Sequence, residues 1–252
     1  MRTLRTLRQA ITAGSLASLM ALSAADASAA TVTATFTGLG LGGSVDRIID
    51  NSTTGTNGTQ SGLTSALFNF QRTGGDFAGT LLAGVSDNFL TICIEPQDTI
   101  NIGSGYTFMV EDLSDGAENI GGMGVTKANR IRELLFGVNP FAFTTNTEGS
   151  ALQIAIWEIV RETDSTPLDV STGHTRFSNA APAGALAQAQ SWLNTYVNDG
   201  EDPGQRANNV LALVSDTNQD VLAFVSVPAP GVLPLFGLAL AGIGFARRRK
   251  TA

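Results

Sequence analysis

Two side chains in this 252-residue chain carry the chemistry most open to a function. Cys93, in the stretch FLTICIEP from Phe89 to Pro96, is the only cysteine, so no disulfide can form within the chain. A solitary thiol is either a small buried hydrophobe or a reactive group. The second is Gln153, in EGSALQIAIWEIVRE from Glu148 to Glu162. This stretch has helical spacing over Ser150 to Glu162: Leu152, Ile156 and Ile159 form one apolar stripe, and Gln153, Trp157 and Val160 the stripe beside it. Ala151, Ala155, Glu158 and Glu162 take the wetter side. Gln153 therefore falls in the buried sector, where an unpaired amide costs about 1–3 kcal/mol. One explanation is local: Ser150 followed by Gln153 has the spacing of a capping box. The other is that a buried carboxamide and a buried thiol are kept in order to react.

The elements that must position these residues can be read in order. Phe89 to Glu95 is a strand with Leu90, Ile92 and Ile94 on its core face; Cys93 is on the opposite face, which something else must cover. Strands are also expected at Ala30–Phe36, Leu63–Arg72, Tyr106–Glu111, Val210–Val214 and Val221–Val227. The glycine-rich run from Gly38 to Gly62 reads as a loop, with a short strand at Val45–Ile49. Helical spacing recurs at Lys127–Phe136 and at Ala183–Val197. Strands, then a group of helices, then strands again imply an α+β domain: a β-sheet or sandwich core with a helical insertion that carries the Gln153 helix.

LQIAIW, Leu152 to Trp157, resembles the T-Q-x-A-[IV]-W motif of bacterial thioester domains, with Leu152 where threonine is usual. ICIEP, around Cys93, resembles the strand motif that precedes the helical insertion of that family. The resemblance spans Phe89 to Tyr196. It implies an intramolecular thioester between Cys93 and Gln153, with Ala155, Ile156 and Trp157 packed around it. Such a bond is an activated acyl group that an amine or hydroxyl on another molecule displaces once. The implied protein is a covalent adhesin, neither a turnover enzyme nor a cofactor user. The alternative is a structural protein of the envelope or exopolysaccharide matrix, in which Cys93 is a core thiol and Gln153 a cap.

Other chemistries fit poorly. A thiol hydrolase needs a base beside its cysteine. The only histidine, His174, stands in the polar stretch STGHTRF. Asp216, Asn218 and Asp220 have the opening spacing of a calcium loop, but Val221 and the lack of a distal glutamate break the pattern.

Both ends read as addresses. Arg2, Arg5 and Arg8, an apolar run from Ile11 to Leu22 and Ala27-Ser28-Ala29 form a signal peptide over residues 1–29. At the other end, residues 227–252 hold Val227-Pro228-Ala229-Pro230, the apolar run Gly231–Ala246, and Arg247, Arg248, Arg249 and Lys250. This three-part layout resembles a variant PEP-CTERM sorting signal of exported Gram-negative proteins, which implies an exosortase-type enzyme as a partner and a membrane passage of the C-terminal segment. Between them lies an extracellular domain at 30–226. Seven of the 15 basic residues and one of the 22 acidic residues are in the terminal segments, which leaves 8 against 21, a charge of about −13 on the exported part. A field of that sign repels phosphate backbones and argues against nucleic acid as a partner.

Overall fold

The computed structural model describes residues 30–49, 58–82, 88–96, 98–117, 122–162, 167–200 and 202–226. Its seven strands are β1 (Thr31–Ile49), β2 (Gly58–Gly74), β3 (Phe89–Cys93), β4 (Gly105–Glu111), β5 (Thr175–Ala181), β6 (Val210–Val214) and β7 (Val221–Phe224). The three helices, α1 (Gly124–Gly137), α2 (Asn146–Arg161) and α3 (Ala185–Tyr196), all fall between β4 and β6, with β5 among them. The fold is α+β with a sheet core, and the helices form the insertion that the pattern of the sequence implies.

The pairings close on themselves. β1 joins β2, β2 joins β3, and β3, β7, β6 and β4 follow in turn until β4 returns to β1, every pair antiparallel. Closure is possible because β1 is long enough to serve three neighbours. One edge carries β2; the other carries β4 at Thr31–Thr35 and β5 at Ser44–Ile49. Closing a sheet in this way removes its exposed edges. Phe70 packs against Phe36 of β1, Phe89 of β3, and Tyr106 and Phe108 of β4, with centroids 5.2–6.4 Å apart. These rings fill the inside of the ring of strands. Strand alternation then turns Thr91 and Cys93 inward with Phe89.

The run from Gly38 to Gly62 differs from the loop expected of it. β1 continues through it to Ile49, and β2 begins at Gly58. Its glycines are there for close approach: a Cβ on Gly43 would lie 1.7 Å from the Ala181 carbonyl oxygen of β5. The same device recurs on α2, where a Cβ on Gly149 would lie 2.2 Å from the Leu41 carbonyl oxygen. Backbone thus meets backbone where α2 crosses β1.

α2 begins four residues earlier than its apolar spacing implies. Thr145 is the N-cap, and its side chain and that of Glu148 form a reciprocal capping box. This corrects the capping role read for Ser150 and Gln153. Ser150 instead shares a buried 2.6 Å hydrogen bond with Ser65 of β2. Nor has the helix a wet side: every residue from Gly149 to Val160 is buried, Glu158 included. It is enclosed by α1, α3, β1, β2 and β5. β5, in the stretch around His174 read as polar loop, is one of the walls.

Candidate functional site

Cys93 is the last residue of β3 and has no exposed surface. The register explains what its backbone needs. Ile94 N–H donates to the Asp220 carbonyl, so alternate residues of β3 point their peptide groups at β7. Those of Thr91 and Cys93 point the other way, toward β2. β2 pairs with β3 only as far as Phe68 opposite Thr91. At Cys93 the neighbouring strand is missing from that side, and α2 stands in its place.

Gln153 fills the gap. Its Oε1 accepts from the Cys93 N–H at 3.1 Å, and its Nε2 donates to the Cys93 carbonyl at 2.7 Å. The side-chain amide acts as the missing strand's peptide group. The structure therefore brings together the two residues that the sequence singles out, but the meeting is between the glutamine side chain and the cysteine backbone.

The Cys93 sulfur has a different neighbour. Gln219, in the turn between β6 and β7, brings its Nε2 to 2.7 Å from Sγ, across 126 positions of sequence. The same nitrogen donates at 3.0 Å to the carbonyls of Glu95 and Asp98, which take the two N–H groups an amide has. Trp157 Nε1 lies 3.3 Å from Sγ on another side. The Trp157 ring is stacked on Phe177 of β5, with centroids 6.4 Å apart. Of the helix residues expected around the sulfur, Trp157 reaches it, while Ala155 and Ile156 are buried in the body of α2.

The turn that presents Gln219 is tied down by carboxylates. Asp220 accepts from the backbone N–H of Ala117 at 2.9 Å and of Ser215 at 2.7 Å. Glu95, also buried, accepts from the Asp220 N–H at 3.0 Å. Asp220 thus spends its oxygens on backbone, not as part of the calcium-loop spacing it shares with Asp216 and Asn218. Among the described residues no cluster of three His, Cys, Asp or Glu side chains could hold a metal.

Burial pushes the Cys93 thiol up to about 12, against the smaller opposing effects of the Trp157 N–H, the Glu95 backbone N–H and the Arg47 guanidinium. The sulfur is thus un-ionised at neutral pH. Arg47 is itself fully buried, bonded to Gln60, and held down to about 10 by desolvation and by the charge of Arg161.

A further buried acid, Glu158, directly follows Trp157 in α2. Burial, with the Glu162 charge adding to it, raises Glu158 to about 8 from an ordinary 4.5. Its Oε1 accepts from the Asp169 N–H at 3.1 Å, while Oε2 has no partner. A carboxyl whose folded pKa exceeds its unfolded one binds more protons when folded, so stability is fully present below the unfolded pKa. It declines as pH rises from 4.5 toward 8 and levels off above that. Denaturant unfolding followed across this window should show a loss of a few kcal/mol. Glu158→Gln keeps the Asp169 bond and should flatten that decline; an unchanged slope would show that the acid is not its source.

A cavity of about 470 Å³ opens onto this site. Trp157 and Gln219 are among the residues that line it, together with apolar Phe36, Phe68 and Ile100 and polar Thr64, Thr99 and Asn101, and the exposed Leu39 and Ile102 also border it. The proposed sorting-signal residues Val227, Pro228, Pro230, Arg247, Arg248 and Arg249, and the signal peptide, lie outside the described residues. No helix among the described residues is long and apolar enough to cross a membrane.

Gln219 is the site residue that the sequence pattern does not expose. It follows Asn218 and precedes Asp220 in an ordinary polar turn, and only the pairing of Cys93 with Val221 brings it to the sulfur. Comparison of the chain with protein-family models, with curated proteins and with solved structures gives no match.

Proposed function

We propose that this is an exported surface protein whose Cys93 and Gln219 condense to an internal thioester, used once to attach the protein covalently to another molecule. The observation that carries the reading is the 2.7 Å approach of the Gln219 amide nitrogen to the Cys93 sulfur inside a buried site. In the condensation the sulfur bonds to the Gln219 side-chain carbonyl carbon, the carbon–nitrogen bond breaks, and ammonia leaves with the thiol proton. The carbonyls of Glu95 and Asp98 face the departing nitrogen and suit a group that gains a proton as it goes. The product carries no charge, which favours it where desolvation already holds the thiol neutral. Proximity set by the fold takes the place of a catalytic base.

The reading moves the acyl role from Gln153 to Gln219 and leaves Gln153 a positioning residue, since both of its amide atoms are engaged by the Cys93 backbone. Trp157 covers the bond and offers an N–H to the sulfur when it leaves. Later attack by an amine or hydroxyl forms a new bond to the acyl carbon, breaks the carbon–sulfur bond and returns a proton to Cys93. The residues 227–252, with their Pro-x-Pro core, apolar run and basic end, support processing by an exosortase-type enzyme at the membrane and display at the cell surface or in the matrix.

Intact mass of the purified mature protein tests the proposal. It should fall short of the sequence mass by one ammonia, with Cys93 resistant to alkylation in the folded state, and Cys93→Ala should restore the full mass. A full mass together with a freely alkylated thiol would favour the non-reactive structural protein.

A further inference from the structure

A buried cation stands beside this site with no part in the chemistry described so far. Arg47 lies where β1 pairs with both β2 and β5, and it has no exposed surface. Its Nη2 donates to the Gln60 side chain of β2, while Nε and Nη1 have no hydrogen-bond partner. Withdrawing an ion from water is costly unless an opposite charge faces it. Desolvation and the charge of Arg161 both work against this guanidinium, and the ionised sulfur of Cys93 works in its favour. Glu95, a buried acid of the same region, bears instead on Arg161 and accepts from the Asp220 N–H.

Strand register places the cation. Arg47 stands opposite Phe177 of β5, and residues directly opposite in an antiparallel pair share a face of the sheet. Trp157 of α2 is stacked on Phe177 with centroids 6.4 Å apart, and its Nε1 is 3.3 Å from the Cys93 sulfur. Arg47 is therefore on the face that α2 covers, beside the two rings that lead to Sγ. Displacing sulfur from an acyl carbon creates a thiolate in a site closed to water. The Trp157 and Glu95 N–H groups that face the sulfur bring dipoles but no net charge. A fixed guanidinium brings one, and it needs no reorganisation when the negative charge develops.

We propose that Arg47 is the built-in counter-charge of the Cys93 thiolate, a positioning residue that touches neither the acyl carbon nor the nucleophile and acts through the sulfur. This role rests on the thioester reading. When the bond forms, sulfur bonds to the Gln219 carbonyl carbon and the thiol proton leaves with ammonia. When the bond is opened, the electron pair of the carbon–sulfur bond returns to sulfur, which then takes the proton released by the attacking group. Arg47 keeps its own proton in both steps and lowers the cost of the negative sulfur between them.

The test follows the opening of the mature protein by hydroxylamine, a small nucleophile, through intact mass. Arg47→Met removes the charge, Arg47→Gln removes it while keeping a donor for Gln60, and Arg47→Lys keeps it. The two neutral variants should open about tenfold more slowly than the parent, since one opposite charge commonly favours an ionised form by that much, and Arg47→Lys should recover most of the rate. The sign separates charge from packing: a loosened core admits the reagent faster, whereas a lost counter-charge slows the departure of sulfur. The same order should appear when the free thiol of Gln219→Ala is alkylated by a small methanethiosulfonate, whose rate follows the thiolate fraction. Neutral variants that open as fast as the parent or faster, or an Arg47→Lys as slow as Arg47→Gln, would overturn the role of Arg47 and leave the thioester standing. A parent protein of full mass that hydroxylamine does not modify would instead remove the thioester itself.

Discussion

Gln219→Ala is expected to abolish the ammonia deficit and every covalent adduct, leaving a protein of full variant mass with an intact Cys93 thiol. Among the described residues no other carboxamide has its nitrogen on that sulfur: Gln153 holds the Cys93 backbone through both amide atoms, and turning it toward Sγ would break two buried hydrogen bonds. The substitution also uncovers the Glu95 and Asp98 carbonyls, so stability should drop by about 1–3 kcal/mol for the buried acceptor that water cannot reach. Intact mass before and after hydroxylamine treatment decides the matter. A deficit that survives in Gln219→Ala and vanishes in a Gln153 variant would return the acyl role to Gln153.

Gln153→Leu should produce the opposite balance, a large loss of stability with the reactive pair still in place. Leucine fills much of the same volume but leaves the Cys93 N–H and carbonyl without partners at a fully buried position. Two such groups at about 1–3 kcal/mol each give a loss of about 2–6 kcal/mol, a large part of the stability of a typical domain. The denaturant midpoint should fall accordingly, and the folded fraction should keep its ammonia deficit because Gln219 is untouched. A variant as stable as the parent would mean that the amide is not serving as the missing strand.

The parts of the structure legible in the sequence are those that rest on local spacing. β3, β4, β6 and all three helices follow from apolar periodicity, and the order of elements leads to the α+β class and the helical insertion. The misread stretch from Gly38 to Gly62 obeys a non-local rule. Its glycines look like loop residues, yet Gly43 is required by β5, more than a hundred positions away. Glu158 shows the same limit, since helical spacing assigns it to solvent and the helices and strands that enclose α2 bury it. At the site, Cys93 and Gln153 are conspicuous as a lone thiol and a buried amide. Gln219 gives no such sign, because its meaning depends on the register of β3 against β7.

That register also determines how a captured molecule would pull. Gln219 stands at the entry to β7, the last strand before Ser226 and the C-terminal segment. With the C-terminal segment held at the membrane, as proposed, tension from a molecule joined at Gln219 enters the chain there and runs through β7 toward that segment. The three helices and the other six strands hang beside this load path as a passenger, so the fold can unravel under force without letting go of what it holds.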